Sequence, residues 1–224
     1  MKKIGSLFVA SAFVLLIFVS VPAASNHLKF AVISDVEGQA ALEKALEFIS
    51  AQSVDFIILA GDFYHDLRIY SEYGFNVDPQ LNGDKQSLYL VLGNHDQPPV
   101  GTPDFQQLVA PYYPGNGPAG APIGTIYSFD RGECHFVITN QYWQCPEGGY
   151  IPEQLEWIQQ DLFSSPRPFK FVIGHEPAFP IERHIGDSLD MDPDMRDRFW
   201  SILSGNNVQA FFCGHIHYLT NFLI

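Results

Sequence analysis

Gly93-Asn94-His95-Asp96 sets an amide, an imidazole and a carboxylate directly after the apolar run Leu88-Tyr89-Leu90-Val91-Leu92. A hydrophobic core has no use for three unlike polar groups at one strand tip. A metal-assisted reaction does, because it needs a ligand, a proton donor and a group that orients the donor. Four more apolar runs end in the same manner, at Asp35, Gly61-Asp62, Gly174-His175 and Gly214-His215-Ile216-His217. Carboxylate, amide and imidazole with no thiolate at a tip suit borderline divalent or trivalent ions such as Mn, Fe or Zn. Asp62, lying between the other sets, is suited to bridge two ions. A pair of ions about 3.5–4 Å apart clamps a phosphoryl group and generates a hydroxide nucleophile. One polar tip alone would read as a turn, and the five together read as a site.

These groups meet only if the strands present their carboxyl ends on one side. Leu28 to Ser34, Val54 to Ala60 and Ser87 to Leu92 read as buried strands. Ala41, Leu42, Ala45, Leu46 and Ile49 recur at helical spacing between the first two, which predicts a right-handed crossover and parallel pairing. The stretch from Asp66 to Lys85 reads as a long polar loop at a substrate rim. Asp104 to Ala110 reads as a short helix, and Pro111 to Pro122 as an irregular connection. Gly124 to Asp130 and Cys134 to Thr139, joined at Arg131-Gly132-Glu133, predict an antiparallel pair and a second sheet. Pro152 to Phe163 is amphipathic, with proline in its first turn. Phe169 to Ile173 and Val208 to Cys213 are strands, with helical residues Asp194 to Leu203 between them. In an open parallel sheet ligands bind beyond the carboxyl ends of strands, so the five tips are expected to converge.

The chain of 224 residues is 46% hydrophobic and 17% charged, which is enough apolar material for one well-buried domain. Met1-Lys2-Lys3, an apolar stretch from Leu7 to Val21 and the small residues Pro22-Ala23-Ala24-Ser25 have the three-part layout of an export signal over residues 1–25. An uncleaved membrane anchor is the competing reading. Either way, residues 26–224 form the working domain, expected in the periplasm or outside the cell. Loss of Lys2 and Lys3 with no acid takes the net charge from −13 to −15. That field disfavours nucleic acid and anionic membranes as tight partners, though bound cations can invert it locally for a phosphate substrate. Of the three cysteines, Cys134 and Cys145 could pair and leave Cys213 free, or all three could be separate core residues.

The ordered set Asp35, Gly61-Asp62, Gly93-Asn94-His95-Asp96, Gly174-His175 and Gly214-His215-Ile216-His217 resembles the calcineurin-like metallophosphoesterase family from about Leu28 to the C-terminus. Gly174-His175-Glu176-Pro177 is most similar to its exported, purple-acid-phosphatase-related branches. The resemblance implies a four-layer α/β sandwich, two mixed central sheets flanked by helices. It also implies a dinuclear metal site that hydrolyses phosphomonoesters or phosphodiesters, on a small molecule or a phosphorylated partner. By the same resemblance Asp35, Asp62 and His217 hold the first metal, and Asp62, Asn94, His175 and His215 the second. His95 would protonate the leaving oxygen and Asp96 would orient its ring.

The first motif departs from the family pattern. Asp-x-His is usual there, and this chain has Asp35-Val36-Glu37; the purple acid phosphatases supply a tyrosine where this chain has His65. Glu37 and His65 are thus both candidates for the remaining ligand of the first metal, and without a phenolate Fe(III) is not required. Arg183 and His184, in the loop after the His175 strand, are candidates for substrate contact, with a solvated loop as the plain alternative. Tyr142, Trp143 and Tyr150 are expected to pack rather than line a pocket. The family continues with more strands after the last motif, so the chain is expected to be a C-terminally shortened form. The alternative function is a catalytically impaired metal-binding or interaction domain on the same fold.

Overall fold

Two sheets lie face to face, and period-two alternation along their strands decides which side chains meet between them. A computed structural model describes residues 5–7, 14–19, 28–36, 38–63, 67–82, 87–96 and 109–217. The first sheet runs in the order β1 (Gly5–Leu7), β2 (Val14–Val19), β3 (Leu28–Ile33), β4 (Phe56–Ala60), β5 (Leu88–Val91). β3, β4 and β5 are parallel; β1 and β2, inside the apolar N-terminal segment, add antiparallel beyond β3. The second sheet has the order β6 (Tyr127–Arg131), β7 (Cys134–Ile138), β8 (Phe169–Ile173), β9 (Ala210–Phe212), antiparallel at β6–β7 and parallel thereafter. Both sheets are therefore mixed, as the family resemblance implies.

Cys134, Phe136 and Ile138 of β7, Phe169, Phe171 and Ile173 of β8 and Phe212 of β9 enter the core shared with the first sheet. The alternate residues Val137, Val172 and Phe211 pack instead among α3 (Pro152–Ser164) and α4 (Pro193–Gly205). An aromatic layer joins the sheets: Phe30 meets Phe136 edge-on at 5.1 Å, and Tyr89 stacks on Phe129 at 3.9 Å. Each such pair adds about 0.5–1.5 kcal/mol to the burial term. The helix α1 (Gln39–Ala51) buries Leu42, Ala45, Leu46 and Ile49, the i, i+3, i+4, i+7 stripe that its sequence shows.

Two readings change. The tips do not come from one open sheet: Asp35, Asp62 and Asn94 follow strands of the first sheet, and His175 and His215 follow strands of the second. Face-to-face packing aligns both sets of carboxyl ends. The Asp66–Lys85 stretch is not all loop, since it holds α2 (Arg68–Glu72) and a 3₁₀ turn, Pro79–Asn82. Tyr70 anchors that excursion at 1% exposure. Of the expected helix at Asp104–Ala110 only Val109 and Ala110 lie within the described residues. All three cysteines are free thiols, and Tyr142, Trp143 and Tyr150 are buried. Among the described residues no helix is long and apolar enough to cross a membrane.

Candidate metal centre

Each strand delivers its polar residue by turning sharply as it leaves the sheet. Asp35, Asp62, His215 and His217 all have positive φ, between 52° and 69°. Non-glycine residues seldom adopt this conformation, and where they do the strain tends to sit at a functional site. Glycines admit the side chains. A Cβ on Gly61 would collide with His175, one on Gly93 with Asp62, and one on Gly214 with Ser34 and Asp35.

At the centre one ligand atom each from Asp35, Asp62 and His175 lies within 4.8 Å of the other two, and all three residues are buried. His175 Nε2 is 3.0 Å from Asn94 Oδ1 and 3.4 Å from Asp62 Oδ2, while its Nδ1 is 2.9 Å from the Ala60 carbonyl. That carbonyl accepts from Nδ1–H and turns Nε2 toward Asn94 and Asp62. His217 Nε2 lies 3.4 Å from Asp35 Oδ1, and Asp35 Oδ2 accepts from Ser34 Oγ at 2.5 Å and from the His215 N–H at 2.9 Å. The His175 and His215 rings meet edge-on at 5.1 Å.

Asp96 accepts hydrogen bonds from three backbone N–H groups: Asp62 at 2.6 Å, Gly93 at 2.8 Å and Phe63 at 3.1 Å. Its carboxylate thus locks the tips of β4 and β5 to each other. His95 stands exposed at the rim, and its backbone N–H donates to Asp62 Oδ1 at 3.0 Å. Glu37 and His65 lie outside the described residues. Arg183 is exposed, whereas the His184 ring packs on His215 at 4.0 Å.

Three contributors escaped the sequence reading. Gln141 takes the N–H groups of both His175 and Glu176 on its Oε1 and returns a hydrogen bond to the Glu176 carbonyl. Ser34 carries no signal of its own beyond preceding Asp35. Asp187 bonds His184 through Oδ2 at 3.1 Å.

Positive charge is favoured beside the Asp35 and Asp62 carboxylates. Burial works against charge on both His175 and Asp62, yet their mutual bond prevails, raising His175 to about 9 and lowering Asp62, with the Asp35 charge adding to the first effect. Burial, then His175 and His184, push His215 down to about 4 and keep its ring neutral, the form that binds metal. Asp35 Oδ1 and His215 Nε2 are buried and receive no hydrogen bond. Buried carboxylate and imidazole atoms without hydrogen-bond partners, in an oxygen- and nitrogen-rich donor set, fit Mn, Fe or Zn.

A family model described as calcineurin-like phosphoesterase matches residues 28–219. A probable inactive purple acid phosphatase of Arabidopsis thaliana is 32% identical in an alignment of 181 positions that covers 66% of this chain and 26% of that protein. A probable purple acid phosphatase of the same plant is 23% identical, over 88% of this chain and 47% of its own length. A probable cyclic nucleotide phosphodiesterase of Rhodococcus erythropolis is 23% identical over 83% of this chain and 59% of that protein. The solved purple acid phosphatase from yellow lupin (Lupinus luteus) seeds superposes with a TM-score of 0.53 at 14% identity, covering 92% of this chain and 44% of that one. This chain thus spans a quarter to three fifths of the curated relatives it matches.

Proposed function

This chain belongs to the calcineurin-like phosphoesterase family, and we propose that it hydrolyses phosphoesters with two metal ions held at the strand tips. The observation that carries this reading is the buried convergence of Asp35, Asp62 and His175, with Asn94 3.0 Å from His175. Asp35, Asp62 and His217 would hold one ion, with Glu37 or His65 completing its ligands. Asp62, Asn94, His175 and His215 would hold the other. When bound, the ions supply a hydroxide nucleophile and neutralise charge on the phosphoryl oxygens.

The protein's own groups do the rest. Ala60 and Gln141 fix the ring and backbone of His175, so the imidazole presents one nitrogen to the site. Asp96 holds the turn that carries Asn94 and His95. His95, which is exposed, would meet substrate and give its proton to the leaving oxygen. Arg183, on the exposed loop, offers a phosphate contact. The layout of residues 1–25 supports export, and the −15 charge supports a small phosphoester over nucleic acid as substrate.

Turnover of matched aryl phosphomonoesters and phosphodiesters tests this. Metal-dependent hydrolysis of at least one, lost in His95→Ala, is expected, and the ratio of the two rates assigns the substrate class. A non-catalytic reading draws support from the plant relative whose name calls it inactive. It predicts bound metal with no turnover of either ester.

A further inference from the structure

The loop between β8 and α4 leans on the metal centre through one ring. His184 sits in it with a φ of 55°, its ring 4.0 Å from that of His215 at an interplanar angle of 38°. Asp187 Oδ2 is 3.1 Å from His184 Nδ1. Donor atoms of His184, Asp187 and His215 all lie within 4.8 Å of one another. The loop is itself anchored: Ser188, 1% exposed, donates through Oγ to the His184 carbonyl at 2.9 Å, and Leu189 is buried among the helices. A bond to Nδ1 on one side and the tilted His215 ring on the other leave the His184 imidazole little rotational freedom. His215 leans on that imidazole and on the backbone of Asp187, and its own Nε2 has no hydrogen-bond partner.

We propose that Asp187 is a positioning residue of the metal centre: it holds the His184 ring, and that ring fixes the plane in which the His215 imidazole meets its metal. The inference rests on the reading of His215 as a ligand. Residues that orient a ligand from behind change metal affinity about 10- to 100-fold. Asp187 belongs at the low end of that range, because its side chain is 64% exposed.

The test is chelator competition with Zn²⁺ alone on the full chain, comparing wild type with Asp187→Ala, His184→Ala, the double variant and Asp187→Asn. Asp187→Ala and His184→Ala should each weaken the same one of two zinc equivalents about tenfold. The double variant should lose no more than either single one, because Asp187 acts through His184. Asp187→Asn keeps an acceptor for Nδ1–H and should stay within about twofold of wild type. A urea midpoint unchanged in Asp187→Ala separates positioning from folding. Unchanged zinc affinity in Asp187→Ala, or additive losses in the double variant, overturns the proposal. A third zinc equivalent that disappears with Asp187 also overturns it, since the trio would then be ligands themselves. Wild type that takes up no zinc fails the metal reading itself, whereas normal wild-type uptake with unaffected variants fails only this one.

Discussion

His175 Nδ1 lies 2.9 Å from the carbonyl oxygen of Ala60, 115 residues earlier in the chain and in the opposite sheet. One ring therefore does two jobs: it joins the tips of the two sheets and sets Nε2 toward Asn94 and Asp62. The site and the sheet packing are physically the same contact.

His175 should consequently matter to folding as well as to metal. His175→Ala removes a fully buried ring and takes from Asp62 the imidazole that lowers its pKa. We expect the metal-free protein to lose about 2–4 kcal/mol. His217, with a side chain 25% exposed, should lose under about 1 kcal/mol on the same change. Urea unfolding of both variants without metal checks the difference, and equal losses would refute it.

Gly214 tests the close approach of backbone to ligand. A Cβ there collides with Ser34 and Asp35, while one on Gly205 at the end of α4 meets nothing. Gly214→Ala should cost about 1–3 kcal/mol and weaken metal uptake. Gly205→Ala should be neutral or add up to about 1 kcal/mol. Thermal unfolding together with zinc competition reads both.

Away from the site, His135 on β7 lies between two carboxylates, 2.7 Å from Asp130 and 2.8 Å from Asp161 of α3. Burial disfavours its charge, but the two acids outweigh burial and raise its pKa above 6.5. The sign follows: the folded state holds this proton more tightly than the unfolded chain. The added stability is complete below pH 6.5 and is lost as pH rises through the higher folded value. Urea unfolding of wild type and His135→Gln across that range should show the wild-type advantage shrinking as pH rises. An advantage that is flat or grows with pH contradicts the assignment.

Much of this arrangement was legible in the sequence because burial and function use different residue types. Each of the five strands that lead to the site is a mostly apolar run, and each run stops at a glycine or polar residue where the chain turns into the site. Division into two sheets was half visible. The turn at Arg131–Glu133 announced β6 and β7, but nothing local says that β8 and β9 join that pair rather than β3 to β5. α2 stayed hidden because a five-residue helix offers less than two turns of periodicity. His135 reads as an ordinary strand residue; the tight turn, which puts Asp130 opposite it, was the available signal. Gln141 and Asp187 act through contacts 34 residues away or through another side chain, and no spacing rule reaches those.

Metal stoichiometry of turnover decides the central claim. The full chain, stripped by chelator, is titrated with Mn²⁺ or Zn²⁺ while hydrolysis of an aryl phosphoester is followed. Two ions at Asp35, Asp62, Asn94, His175, His215 and His217 predict no turnover in the stripped protein and a rise that levels off at two equivalents per chain. Asp62→Asn, which removes the carboxylate proposed to serve both ions, should abolish that rise. Full hydrolysis without metal, or a plateau at one equivalent unaffected by Asp62→Asn, would contradict a dinuclear hydrolase.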